Sequence, residues 1–141
     1  MEYEQVRNRL RSVTHAEYGL GATAEEIEAA EHRLGVTFPD VYRQFLADFG
    51  WAAIGGSEIF GLGSDVPPYL DLAHLAEFER DQFRPGLPPR IVPVMNDGGG
   101  NLLCVDCAGP DGRMIYIDHV EGESHLGVVF AEWLDQLIAE A

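Results

Sequence analysis

The chain has 141 residues, 46% of them hydrophobic, and carries 24 Asp and Glu against nine basic residues for a formal net charge of −15. That length and apolar content predict one globular domain over residues 1–141 with a packed core. All nine basic residues are Arg, so the chain lacks the cation surplus that generic nucleic-acid binding or an anionic membrane surface requires. A strongly acidic domain can instead attract a basic partner and speed the encounter.

In chain order, Tyr3, Val6, Leu10 and Val13 form one apolar stripe, which predicts a helix from about Glu2 to Tyr18, ended by Gly19-Leu20-Gly21. Arg7, Arg9 and Arg11 against Glu2 and Glu4 leave residues 1–15 at +1, so the remainder holds −16. A second helix opens at Thr23, with Glu26 placed for a capping box, and closes at Gly35, placed for a left-handed turn. Pro39 suits the first turn of a third helix, whose wide apolar face is Val41, Tyr42, Phe45, Leu46 and Phe49, and Gly50 stops it. Trp51 to Gly63 predicts a short strand amid loops. Pro67-Pro68 precedes a fourth helix over about Asp71 to Phe83, with Leu72, Leu75 and Phe78 facing inward.

After Pro85 and Pro88-Pro89 the period changes to that of strands. Ile91 to Met95, Asn101 to Cys107 and Met114 to Asp118 predict three strands joined by Asn96-Asp97-Gly98-Gly99-Gly100 and Gly109-Pro110-Asp111-Gly112. Such tight turns imply an antiparallel meander. Phe130, Trp133, Leu134, Leu137 and Ile138 share one face of a closing helix. The expected class is α+β, helices packed on an antiparallel β-meander. No apolar run approaches the roughly 20 residues of a membrane-spanning helix. The acidic start Met1-Glu2-Tyr3-Glu4-Gln5 is no secretory signal, so the expected location is the cytoplasm.

Several chemistries need weighing. Cys104 and Cys107 form a C-x-x-C, but three residues along a strand the thiols face opposite ways, and no second pair completes a tetrahedral zinc site. Both are expected to be structural. Gly98-Gly99-Gly100 lacks the frame and the Lys of a phosphate loop and is expected to be a turn. Asp118, His119, Glu121, Glu123 and His125 include legitimate metal ligands, yet a loop dense in them is ordinarily just solvated. A hydrolytic pair of Cys104 with His74, His119 or His125 would need an accessible thiol, which a strand interior denies. Among 24 acids, a pair for glycoside chemistry carries no information. His15 and His32 are expected on solvent-facing helix positions. Trp133 is expected in the core, whereas Trp51 stands in a loop setting where it is either a core plug or an interface anchor. The expectation is no enzyme, no metal and no cofactor.

The run Leu34-Gly35-Val36-Thr37-Phe38-Pro39-Asp40-Val41-Tyr42-Arg43-Gln44-Phe45-Leu46 resembles the LP-x-x-(Y/F)-x-x-FL signature of the SUKH superfamily, the Smi1/Knr4-like domain, with Phe38 where Leu is commoner. Val92 to Asp106 resembles that family's strand, Gly-rich turn and strand ending in Asp. Ile115-Tyr116-Ile117-Asp118-His119 and Phe130-Ala131-Glu132-Trp133-Leu134 resemble its next strand and its closing helix. In order, these matches span about residues 23–138. The resemblance implies an α+β fold and, for bacterial members, an immunity protein that binds and blocks a cognate toxin of a polymorphic toxin system. It brings no catalytic residues. It also admits a non-immunity interaction or scaffold module, since eukaryotic members are proposed as interaction hubs. Loop placement and charge then nominate Trp51, Glu58, Asp65, Tyr69, Asp97, Asp118, Glu121 and Glu123 as contacts for a basic, nuclease-type toxin domain, with no nucleic-acid or membrane partner.

Overall fold

A computed structural model describes residues 2–82 and 86–141. Helix α1 (Tyr3–Ser12) buries Tyr3, Val6 and Leu10, as its stripe predicts. It stops well short of Tyr18. Val13 is already extended, and Ala16–Tyr18 forms strand β1, paired antiparallel with β2 (Ala52–Ile54). The stiff β-branched pair Val13-Thr14 weakens helix propagation, and the ladder offered by β2 outweighs what remains of the local preference. His15 accordingly sits in the turn before β1, exposed, and not on a helix.

Helix α2 (Ala24–Leu34) has the expected ends. Glu26 N–H donates to Thr23 Oγ1 at 3.1 Å and Thr23 N–H to Glu26 Oε1 at 2.9 Å, while Gly35 takes φ 72°. Helix α3 (Asp40–Asp48) starts one residue after Pro39, which is its N-cap. Its rings build the centre of the core. Phe38 meets Tyr42 edge-on at 5.2 Å between centroids, and Phe130 meets Tyr42 at 5.2 Å and Phe45 at 5.4 Å. Such edge-to-face packing adds to the burial itself.

The stretch expected to hold one strand holds two, β2 and β3 (Ser57–Ile59), a hairpin turned by Gly55-Gly56. With β1 they form a three-stranded sheet in the order β1-β2-β3. Behind it the backbone packs without room for side chains: a Cβ on Gly61 would lie 1.7 Å from the Gly50 carbonyl oxygen. A 3-10 turn (Pro68–Leu70) leads into α4 (Leu72–Gln82). Leu72, Ala73 and Ala76 are buried there, but Phe78 is half exposed, which corrects the expected inward face. Small residues carry that contact instead. The expected end of this helix at Phe83, and Pro85 beyond it, lie outside the described residues.

Strands β4 (Ile91–Asn96), β5 (Leu102–Asp106), β6 (Arg113–Asp118) and β7 (Gly122–Val129) form an antiparallel meander in that order. The first three are the strands that the apolar runs predict. Residues 122–129 read as loop in the sequence, because their charged and small residues show no apolar alternation. They pair with β6 all the same, Glu123 opposite Ile117 and His125 opposite Ile115. Chain direction after a tight three-residue turn supplies the pairing that side chains do not advertise.

One face of the sheet, through Val92, Val94, Leu103, Val105 and Met114, joins the core built on the helices. The other face buries Ile91, Leu102, Cys104, Ile115 and Ile117, with Leu87 packed against them. Burial on both faces explains the unbroken apolar runs of β4 and β5. Helix α5 (Phe130–Glu140) follows β7 directly, buries Phe130, Trp133, Leu134 and Ile138, and packs on α1 and α3. Arg9 and Asp135 form an ion pair between α1 and α5. Among the described residues no helix is long and apolar enough to cross a membrane.

Candidate functional site

The meander decides which acids meet. The β4–β5 and β6–β7 turns fall at the same end of an antiparallel sheet, so Asp97 and the Asp118–Glu121 turn are brought together although 20 residues separate Asp97 from Asp118. The two turns are tied directly. His119 N–H donates to Asn101 Oδ1 at 3.0 Å, and His119 Nδ1 lies 2.5 Å from the same oxygen.

Asp97 is built into its turn. Its Oδ1 accepts from Gly99 N–H at 2.8 Å and Asn101 N–H at 3.2 Å, and its Oδ2 accepts from the Tyr116 hydroxyl at 2.9 Å. The Gly99 N–H, then the Tyr116 hydroxyl, hold the Asp97 carboxyl below its ordinary range, and the same bond raises Tyr116. Gly98 and Gly100 take positive φ of 91° and 90°, which the side chain of any other residue would resist. Asp118 does the same for the β6–β7 turn. Its Oδ1 accepts from Val120 N–H at 2.8 Å and Glu121 N–H at 3.0 Å, with the Glu121 bond the first cause of its lowered pKa. Both carboxylates are therefore fixed in place and charged at neutral pH.

Around this pair lie two shallow cavities. One, of about 330 Å³, has an apolar floor of Phe60, Leu70 and Met95 and is rimmed by Glu58, Tyr69 and Asp97. Tyr69 is 65% exposed there, an open ring beside two carboxylates. The second, also about 330 Å³, is lined by Leu87, Ile117, His119 and the three acids Asp118, Glu121 and Glu123. Neither cavity is lined by an Arg among the described residues. Glu123 accepts from Arg90 at 3.0 and 3.2 Å, and Arg90 also donates to Asp106 at 2.9 Å, so one cation is shared by two acids. The side chains of Glu58 and Glu121 take part in no hydrogen bond or ion pair among the described residues. Six of the eight nominated residues thus share one end of the molecule.

Trp51 and Asp65 do not join them. They pair with each other near β1: Trp51 Nε1–H donates to Asp65 Oδ1 at 3.3 Å, and Leu20 N–H donates to Asp65 Oδ2 at 3.1 Å. Trp51 is half-buried against the core. Part of the Trp51 ring thus packs on the core while the rest stays accessible, with its indole N–H bonded to Asp65. Two other residues matter that charge counting passes over, Asn101 and Tyr116, because their work is to hold the turns. The Asn-Asp-Gly sequence signals the turn; nothing in the sequence signals the bond from the next strand. The position of Glu123 within β7, and not in a loop after the third strand, is a further correction.

The two thiols are packing groups. Cys104 belongs to the outer apolar cluster and Cys107 to the main core, on opposite sides of the sheet. Burial pushes the Cys104 thiol far up, and burial together with Asp106 pushes Cys107 up to about 12. Among the described residues no group of three or more His, Cys, Asp and Glu could hold a metal ion.

The arrangement is that of an acidic α+β domain with Glu58, Asp97, Asp118, Glu121 and Glu123 at one sheet end. The chain belongs to the SMI1/KNR4 family (SUKH-1), whose family model matches residues 21–136. Its fold is similar to that of a solved protein from Pseudomonas syringae pv. tomato, with a TM-score of 0.73 over 98% of this chain and 99% of that one, at 19% identity. No curated protein matches it significantly.

Proposed function

We propose that this protein is an immunity-type inhibitor, which binds a basic toxin domain in the cytoplasm of the cell that makes it and blocks that domain without catalysis of its own. Membership of the SUKH family supports the immunity reading, since bacterial members of that superfamily have that role. The observation that carries the choice of a basic partner is the convergence of Glu58, Asp97, Asp118, Glu121 and Glu123 on one sheet end, with Arg90 the one arginine that pairs with any of them among the described residues. A nuclease-type toxin fits this surface. An enzyme that acts on a phosphate backbone presents cations to it, and fixed carboxylates compete for those cations.

The steps follow from the geometry. Carboxylates raise the encounter rate at long range, and the Tyr69 ring with its apolar floor of Phe60, Leu70 and Met95 supplies the short-range anchor that slows release. Asp97 and Asp118, held by backbone N–H groups, need no reorganisation on docking. The test is co-expression with the C-terminal domain encoded directly upstream. The two chains should purify together as a 1:1 complex at low salt, and the complex should weaken steadily as salt rises. Recovery of the two chains apart at low salt would overturn the proposal.

A further inference from the structure

We infer that the open edge of β7 receives an extended segment of the basic partner as a fifth strand of the sheet. The inference rests on the binding role proposed above and says how that partner is held.

Among the described residues β7 is the longest strand, with eight residues, and β6 is its only neighbour in the sheet. Its residues Gly122 to Gly127 are six consecutive exposed positions. The other boundary strands are not comparable. β4 is met by the neighbouring sheet, where Phe60 N–H donates to the Val94 carbonyl at 2.8 Å, and β1 has three residues. In an antiparallel strand alternate residues turn both N–H and C=O away from the paired neighbour. Along β7 those groups face water, a row of donors and acceptors ready for another chain.

The edge is selective. Glu123 lies on it, and Asp118 and Glu121 stand at its start. A second copy of this −15 chain would be repelled as a whole, whereas a basic segment would be drawn to the acids at the start of the edge. The far end of the edge bends away. Arg113 pairs with Val129 and Ile115 with His125, so β7 spends three intervening residues where β6 spends one, and Gly127 takes φ 76°. That bulge limits indiscriminate pairing and opens a cavity of about 360 Å³ lined by Met114, His125, Val128 and Val129, with Arg113 and Glu132 also on its lining, so it takes an apolar side chain and not a cation. The occupant is accordingly an extended segment with Arg or Lys toward Glu121 at the start of the edge and an apolar side chain placed for the bulge cavity.

Residue-resolved amide hydrogen exchange tests this on the intact chain, alone and with the domain encoded directly upstream as the probe. Every second amide from Gly122 to Gly127 should exchange freely in the protein alone and slow at least about tenfold in the complex. The interleaved amides, already bonded to β6, should change little. A complex that forms while those outward amides exchange as before overturns the β7 inference and leaves the binding role standing. No complex with that domain overturns both. Slowing in the protein alone that grows with its concentration would mean that a second copy takes the edge, and would also overturn the inference.

Discussion

Neutralising Glu58 and Glu121 together is the sharpest perturbation of the acidic end, because neither side chain has a hydrogen-bond or ion-pair partner among the described residues. E58Q/E121Q should leave the fold intact while removing two charges from the two cavities. With a partner cation about 6 Å from each carboxylate in water, the Coulomb attraction is about 0.7 kcal/mol per pair before screening. At 0.01 M salt, where the Debye length is about 30 Å, roughly 0.6 kcal/mol of each survives, and at 0.15 M about 0.3 kcal/mol. The association rate constant for the toxin domain should therefore fall about sevenfold at the low salt and about threefold at the higher one. At 1 M salt the two proteins should be nearly indistinguishable. Stopped-flow fluorescence across the salt series measures this, with melting curves to check that both proteins fold alike. Equal association rates at 0.01 M, or a ratio that does not shrink with salt, would refute the steering role of this end.

Other consequences can be checked one residue at a time. Gly61→Ala would place its Cβ 1.7 Å from a backbone oxygen that cannot move aside, and should cost at least about 3 kcal/mol in denaturant unfolding. The Tyr42 hydroxyl is buried with no hydrogen-bond partner among the described residues, so Tyr42→Phe should raise stability by about 1 kcal/mol in the same assay. Native Cys104 and Cys107 should resist a thiol reagent at pH 8 and both react once the chain is unfolded, because burial holds both thiols protonated. The Asp97 and Asp118 carboxyls are lowered by folding, so the stability they lend is present at neutral pH and is lost as pH falls through their folded pKa values. Carboxyl NMR titration should show both midpoints below the ordinary range, and Asp97→Asn should bring the raised Tyr116 hydroxyl back toward its ordinary value.

The parts of the fold written in local chemistry are legible in the sequence. Thr23 with Glu26, Gly35 and the Gly98–Gly100 turn each state a boundary in their own residues, and the structure keeps all three. The C-x-x-C is legible too, because strand period alone sends Cys104 and Cys107 to opposite faces. β1 and β7 are not. Ala16–Tyr18 is a strand only because Ala52–Ile54 lies beside it, and Gly122–Val129 only because β6 does. Edge strands bury little, so the hydrophobic alternation that announces a strand is missing there. At the site, charge and loop position find six residues that converge, while Trp51 and Asp65 lie apart from them and bond to each other. Composition cannot show that Asp97 and Asp118 are turn-builders first and surface charges second, since that depends on the N–H groups of Gly99, Val120 and Glu121.

The central claim is protection, and survival measures it most directly. Cells induced to make the domain encoded directly upstream should stop growing when it is made alone and grow normally when this chain is made with it. E58Q/E121Q, supplied at the same level, should protect less well. Equal killing with and without this chain, at confirmed expression of both, would contradict the account.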